Sequence, residues 1–193
     1  MSQRTKFVLL LAIFMLPTLA SFVAFYFFPP PKATAYGELI SPAIPLPESP
    51  VAMLGGQNAG VPHSLRGKWL ILTRDEGRCD ERCQAKLVVM RQARLVLGRE
   101  QDRVLRVVLV EDNVAPQASV LHEHEGTIWV AAKELSWIKL LPLPPGGNPR
   151  SYIYAVDPLG NVFIRYGDSP DIKKLANDLR RVLKAPRLAD RAD

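Results

Sequence analysis

The stretch KWLILTRDEGRCDERCQAKLVVMRQARLVLGREQDRVLRVVLV, residues 68–110, decides the fold. It opens on Trp69-Leu70-Ile71-Leu72, an apolar run of the kind that forms a strand buried on both faces. Over 83–97 the apolar residues change to helical spacing. Val89, Met90, Ala93, Val96 and Leu97 share one face, with Arg91, Gln92 and Arg94 mostly off it. Residues 104–110 form a second apolar run rich in valine, which reads as another buried strand. Strand, helix of about four turns and strand make a βαβ unit, with parallel strands and a right-handed crossover.

Towards the C-terminus, the spacing allows a helix over 118–125, a short strand over 127–131 and a helix over 133–141. The prolines and glycines of 142–149 then make a loop. Residues 152–156 and 162–166 read as two strands. Asp157-Pro158-Leu159-Gly160-Asn161 joins them as a hairpin turn. A last helix is expected with Ser169 as its cap, Pro170 first and Asp171 on the positive end of the dipole. Its apolar face is Ile172, Leu175, Ala176, Leu179, Val182 and Leu183. This element order implies an α/β fold of the thioredoxin-like kind, a central mixed sheet flanked by helices.

The remainder is the N-terminal third. The chain has 193 residues, 48% hydrophobic, with a net charge of +6 and two cysteines. It is too long for a disulfide-stapled miniprotein and too apolar for a disordered chain. Residues 7–28 are uncharged and apolar apart from Pro17 and a few hydroxyls, and their length of about 33 Å as a helix spans a bilayer core. A cleaved signal peptide is the alternative, but the run continues past the small residues Ala20 and Ser21. Arg4 and Lys6 hold residues 1–6 in the cytoplasm by the positive-inside rule. The expected organisation is a cytoplasmic segment at 1–6, a transmembrane helix at 7–28, a proline-rich linker at 29–54, a folded domain at 55–185 and a tail at 186–193. In a bacterial cell this describes a single-pass inner-membrane protein with a periplasmic domain.

Cys79 and Cys83 stand where the first strand ends and the first helix begins. Free amide groups at a helix N-terminus favour a thiolate over a thiol. Arg74, Arg78 and Arg82 add positive potential, while Asp75, Glu76, Asp80 and Glu81 oppose it. A pair one helical turn apart can close a disulfide or chelate one soft ion such as Cu(I). A static bridge over so short a loop would restrain the unfolded chain little. Zinc is disfavoured, because a structural site needs four ligands and there is no second cysteine pair.

Several motifs resemble the Sco family, membrane-anchored thioredoxin-like proteins that help assemble the copper centre of cytochrome c oxidase. These are Gly60-Val-Pro-His-Ser-Leu-Arg-Gly67-Lys68-Trp69 ahead of the first core strand, Cys79-x-x-x-Cys83, and Ile153-Tyr154-Ala-Val-Asp157-Pro158-Leu-Gly160 near the end. The likeness covers about residues 55–184. It implies the fold, a dithiol at Cys79 and Cys83, and copper as the metal those sulfurs hold. It also implies a histidine five residues before Tyr154 and nine before Pro158 as the third copper ligand. Both counts fall on Pro149, which has no donor atom in its side chain. Asp80 and Gln84 also stand where the family has a proline after each cysteine.

Three histidines remain, His63, His122 and His124. His122-Glu-His-Glu125 reads as solvated surface and has the wrong spacing for a zinc protease helix. Trp69, Trp129 and Trp137 read as packed in or near the core. The basic residues after 180 read as a solvated helix face, and a periplasmic domain has no nucleic acid to meet. Three functions stay open on this reading. The first is thiol–disulfide oxidoreductase through Cys79 and Cys83, with Cys79 attacking and Cys83 resolving. The second is Cu(I) chaperone through the same sulfurs, and the third is non-catalytic assembly factor. The implied partner is a cytochrome c oxidase subunit or another periplasmic thiol or copper protein.

Overall fold

A computed structural model of the chain describes residues 3–27, 35–46, 52–55, 65–132 and 136–184. His63, the linker over 29–34 and the tail beyond 184 lie outside the described residues. The chain divides into two compact units, Met1–Thr34 and Ala35–Asp193. In the first, α1 (Gln3–Phe27) exposes those of its apolar side chains that are described. Over Gln3–Ala24 it is long and apolar enough to cross a membrane.

The second unit is built on one six-stranded sheet. Its strands are β1 (Glu38–Pro45), β2 (Trp69–Asp75), β3 (Val104–Val110), β4 (Thr127–Ala131), β5 (Tyr152–Val156) and β6 (Asn161–Gly167), in the order β1-β6-β5-β2-β3-β4. Strands β2, β3 and β4 run parallel, as the crossover argument requires. Strand β5 is antiparallel to both β2 and β6, and β1 is antiparallel to β6. Helices α2 (Glu81–Val96), α3 (Ala118–Glu123) and α4 (Ile172–Leu183) complete the domain.

Side-chain alternation along β2 shows why the sheet is buried on both faces. Ile71 points into a core with Leu87, Met90 and Ala93 of α2, Trp129 of β4, and Leu175 and Leu179 of α4. Leu70 and Leu72 point the other way, to Val107, Leu109, Val130, Tyr154, Leu141 and Leu46. Trp69 is half-buried, edge-on to Phe163 at 5.8 Å. The side chain of Trp137 lies outside the described residues.

Several boundaries differ from the sequence reading. Part of the expected linker is strand β1, which carries Pro42 and Pro45. Proline is tolerated there because β1 is an edge strand, with an irregular register between Leu39 and Ile44. Helix α2 starts two residues earlier than periodicity suggested, because Asp80 caps it by accepting from the Cys83 amide at 3.0 Å. Helix α4 is capped by Asp171, which accepts from Lys174 N at 2.9 Å, and not by Ser169. The last helix expected before the loop is a short 3-10 turn, Ser136–Leu140. The hairpin forms as read, with Gly160 at φ +87°, a conformation that favours glycine.

Candidate functional site

The loop that leaves β2 carries Cys79 to the start of α2. Gly77 lets it pass close to the 112–114 turn: a Cβ there would lie 1.9 Å from the Val114 carbonyl oxygen. The Gly77 amide instead donates to Asp112 Oδ1 at 3.0 Å. Cys79 itself has φ +41°, in the left-handed region, and its amide donates to the Glu76 carbonyl. Gln84 Nε2 donates to the Cys79 carbonyl at 3.2 Å. Cys79 is thus just outside the capped helix, with Cys83 in its first turn.

The two sulfurs are joined in a disulfide, with Cα atoms 5.0 Å apart. Both residues are buried, Cys79 at 2% exposure and Cys83 at 0%. Cys79 reaches the outside through a cleft of about 150 Å³, lined also by Asp75, Glu76, Lys86, Asn148, Arg150 and Asp168. Arg78, Asp80 and Arg82 stand exposed at its mouth.

Two polar groups in this cleft are absent from the sequence reading. Lys86 is buried on the apolar face of α2. Its Nζ donates to Asp75 Oδ2 at 2.8 Å, Thr73 Oγ1 at 3.2 Å, the Arg74 carbonyl at 3.4 Å and the Arg150 carbonyl. Arg150 is the second. Its guanidinium donates to Glu111 Oε2 from Nε at 3.1 Å and from Nη2 at 3.0 Å, and Nη1 pairs with Glu76 Oε1 at 2.7 Å. Glu111 also accepts from Arg74 Nε. Burial opposes the charge of Arg150, but the hydrogen bonds and charges of Glu111 and Glu76 outweigh it and raise its pKa. Lys86 stands three, four and seven residues before Val89, Met90 and Ala93, on the apolar stripe itself, where a charged side chain reads as an exception to the pattern, and Arg150 follows a proline loop.

The loop carrying Pro149 does reach the disulfide, since Asn148, Arg150 and Ser151 form part of the cleft wall. Among the described residues, the donor set near the sulfurs nevertheless gains no imidazole. His124 precedes β4, so it lies at the opposite end of the parallel strands from the Cys79 loop. His124 is also fully buried, which corrects its reading as solvated surface, whereas His122 is exposed. The reason is tertiary: Arg91 of α2 donates to the Glu123 carbonyl and Arg106 of β3 to the Glu125 carbonyl, so the turn is drawn inward around His124. Among the described residues no group of three or more His, Cys, Asp or Glu is placed to hold a metal ion.

Residues 69–186 match a family model, the transmembrane-like, thioredoxin-like, C-terminal domain. No curated protein matches the sequence. Among solved structures, the fold is similar to apo Sco1 from Thermus thermophilus, at 16% identity and TM-score 0.54, covering 80% of this chain and 98% of that one. It is similar to BsSco, a member of the Sco family of cytochrome c oxidase assembly proteins, at 15% identity and TM-score 0.55, covering 77% and 99%. A SCO1/SenC family lipoprotein from Bacillus anthracis gives 15% identity and TM-score 0.55, covering 75% and 99%. At these identities the likeness concerns the fold, and at that level the expected resemblance is borne out.

Proposed function

Because the chain belongs to the family of transmembrane-like, thioredoxin-like C-terminal domains, we propose that it is a membrane-tethered thiol–disulfide exchange protein reacting through Cys79 and Cys83. The observation that carries this reading is the Cys79–Cys83 disulfide at the first turn of α2, on the wall of a cleft that opens outward. A bridge over so few residues contributes little stability by restraining the unfolded chain, so stability does not account for it.

In the reduced form, the Cys79 thiolate attacks one sulfur of a partner disulfide. The partner's S–S bond breaks, and its departing sulfur takes up a proton. Cys83 then gives up its proton and attacks the Cys79 sulfur of the mixed disulfide. The Cys79–Cys83 bond forms, and the second partner thiol leaves. Two electrons pass from the dithiol to the partner, and the bridged form is the oxidised end of the step. A second dithiol protein returns the pair to thiols by the same chemistry in reverse.

Arg4 and Lys6 ahead of the N-terminal helix support a domain on the periplasmic side, an oxidising compartment. The Sco-like fold and motifs support a cysteine-bearing cytochrome c oxidase subunit as the partner. A second reading keeps the same sulfurs, which in reduced form are a two-thiolate set for Cu(I) as cargo. Pro149 supports the redox reading over the copper one, since it removes the expected third donor.

The test uses the full chain in its membrane. A Cys83→Ser variant is expected to accumulate a mixed disulfide through Cys79. Trapping only through Cys83 in a Cys79→Ser variant would reverse the two roles. Unimpaired oxidase assembly by the double Cys→Ser variant would overturn both thiol readings and leave an interaction factor. Competition titration of the reduced chain with Cu(I) separates the copper reading from the redox one.

A further inference from the structure

A disulfide that exchanges with a protein partner must admit a thiolate along its S–S axis. Here both cysteines are buried, and Cys79 lines a cleft of about 150 Å³ that opens outward. One wall of that cleft belongs to β2 and α2. The facing wall is Asn148, Arg150 and Ser151. What holds the facing wall in place therefore controls access to Cys79.

That wall is held by polar contacts that converge on one residue. The Arg150 backbone carbonyl accepts from buried Lys86, its amide donates to Asn148 Oδ1 at 3.0 Å, and its guanidinium spans Glu111 and Glu76. Arg150 thus joins the loop to α2 through Lys86, to the end of β3 through Glu111, and to the Cys79 loop through Glu76. The anchors differ in exposure. Lys86 is 1% exposed and Glu111 19%, but Glu76 is 46% exposed and Arg150 itself 40%. The deep half is set in a medium where ion pairs are strong, and the outer half faces water, where salt screens it.

We propose that Arg150 is the latch of an access gate: the 148–151 loop closes over the Cys79–Cys83 disulfide and must lift before a partner thiolate reaches Cys79. The inference rests on the thiol-exchange reading. Arg150 acts by positioning the loop and takes no part in the electron transfer. Breaking the outer Glu76–Arg150 pair loosens the loop while Lys86 and Glu111 keep its root. The gate changes how fast the disulfide is reached and leaves the energy of the disulfide unchanged.

The experiment follows reduction of the disulfide by dithiothreitol in the detergent-solubilised full chain, read as the rate of thiol appearance. Arg150→Met should raise the rate roughly tenfold, the factor given by about 1.4 kcal/mol of lost closure. The reduction potential should stay at its wild-type value. The wild-type rate should increase with salt, and Glu76→Gln, which leaves the buried anchors intact, should be faster than wild type and insensitive to salt. Arg150→Lys should fall between wild type and Arg150→Met. Equal rates in wild type and Glu76→Gln, or a potential that moves with the rate, would overturn the gate. Because a small reductant is the probe, this outcome is independent of whether a protein partner is found, so failure of the exchange reading is seen separately.

Discussion

His124 is fully buried in the turn between α3 and β4, and neither ring nitrogen has a hydrogen-bond partner among the described residues. Burial is the largest cause and lowers its pKa; the Glu123 charge opposes it, and Arg91 and then Arg106 lower it further. Arg106 is itself lowered to about 10, by burial first and then by Arg94 and Arg91, so it stays charged at neutral pH. A third positive charge on the imidazole is therefore disfavoured in the folded state. The unfolded chain takes up that proton near pH 6.5, and the folded chain only at lower pH. Between those values the unfolded state binds more protons, so stability is fully present above about pH 6.5 and is lost as the pH falls below it. Thermal unfolding scanned over pH should show a flat midpoint above pH 7 and a decline below about 6.5. A His124→Gln variant should lose that decline, and an unchanged profile would assign the titration to another group.

Helix α4 and strand β1 are joined by one carboxylate. Asp178 accepts from Tyr36 N at 2.8 Å, from Gly37 N at 3.0 Å and from the Tyr166 hydroxyl at 3.4 Å. Burial and the adjacent Asp178 charge push the Tyr166 hydroxyl well above its usual pKa, so it remains a donor. This contact seats the chain as it enters the sheet, and the Tyr36 hydroxyl repeats the tie by accepting from Asp171 N at 3.0 Å. Asp178→Ala strands the buried Gly37 amide and the part-buried Tyr36 amide and should cost about 2 kcal/mol, seen as a lower midpoint in urea unfolding. Nothing local announces this role. Asp178 lies 142 residues from Tyr36, inside a helix whose apolar spacing reads correctly without it. Lys86 escaped notice for a related reason: a lysine within an apolar stripe has no evident partner until β2 supplies Asp75 and Thr73. By contrast, β2, α2 and β3 were legible because their cause is local, two apolar runs flanking a stripe of helical period.

At the scale of the molecule, an apolar helix is followed in sequence by a domain that packs its own core on both faces of one sheet. Residues 35–193 should therefore remain soluble and unfold in a single cooperative transition once residues 1–34 are removed. Circular dichroism through a urea series checks this, and separate transitions by different probes would contradict it. The chain's order of strands and helices, its apolar N-terminal segment and the placement of Cys79 and Cys83 at a strand-to-helix junction are all determined by sequence, because each depends on neighbours within a few turns. The absence of a donor at Pro149 is likewise a property of sequence. Only tertiary structure decided that a proline-bearing segment joins the sheet as an edge strand, and that His124 is buried far from the sulfurs. It also decided that Lys86, Glu111, Glu76 and Arg150 meet around the disulfide. Those outcomes depend on burial and on partners brought together across the fold, and a charged side chain's role follows from the dielectric and acceptors around it.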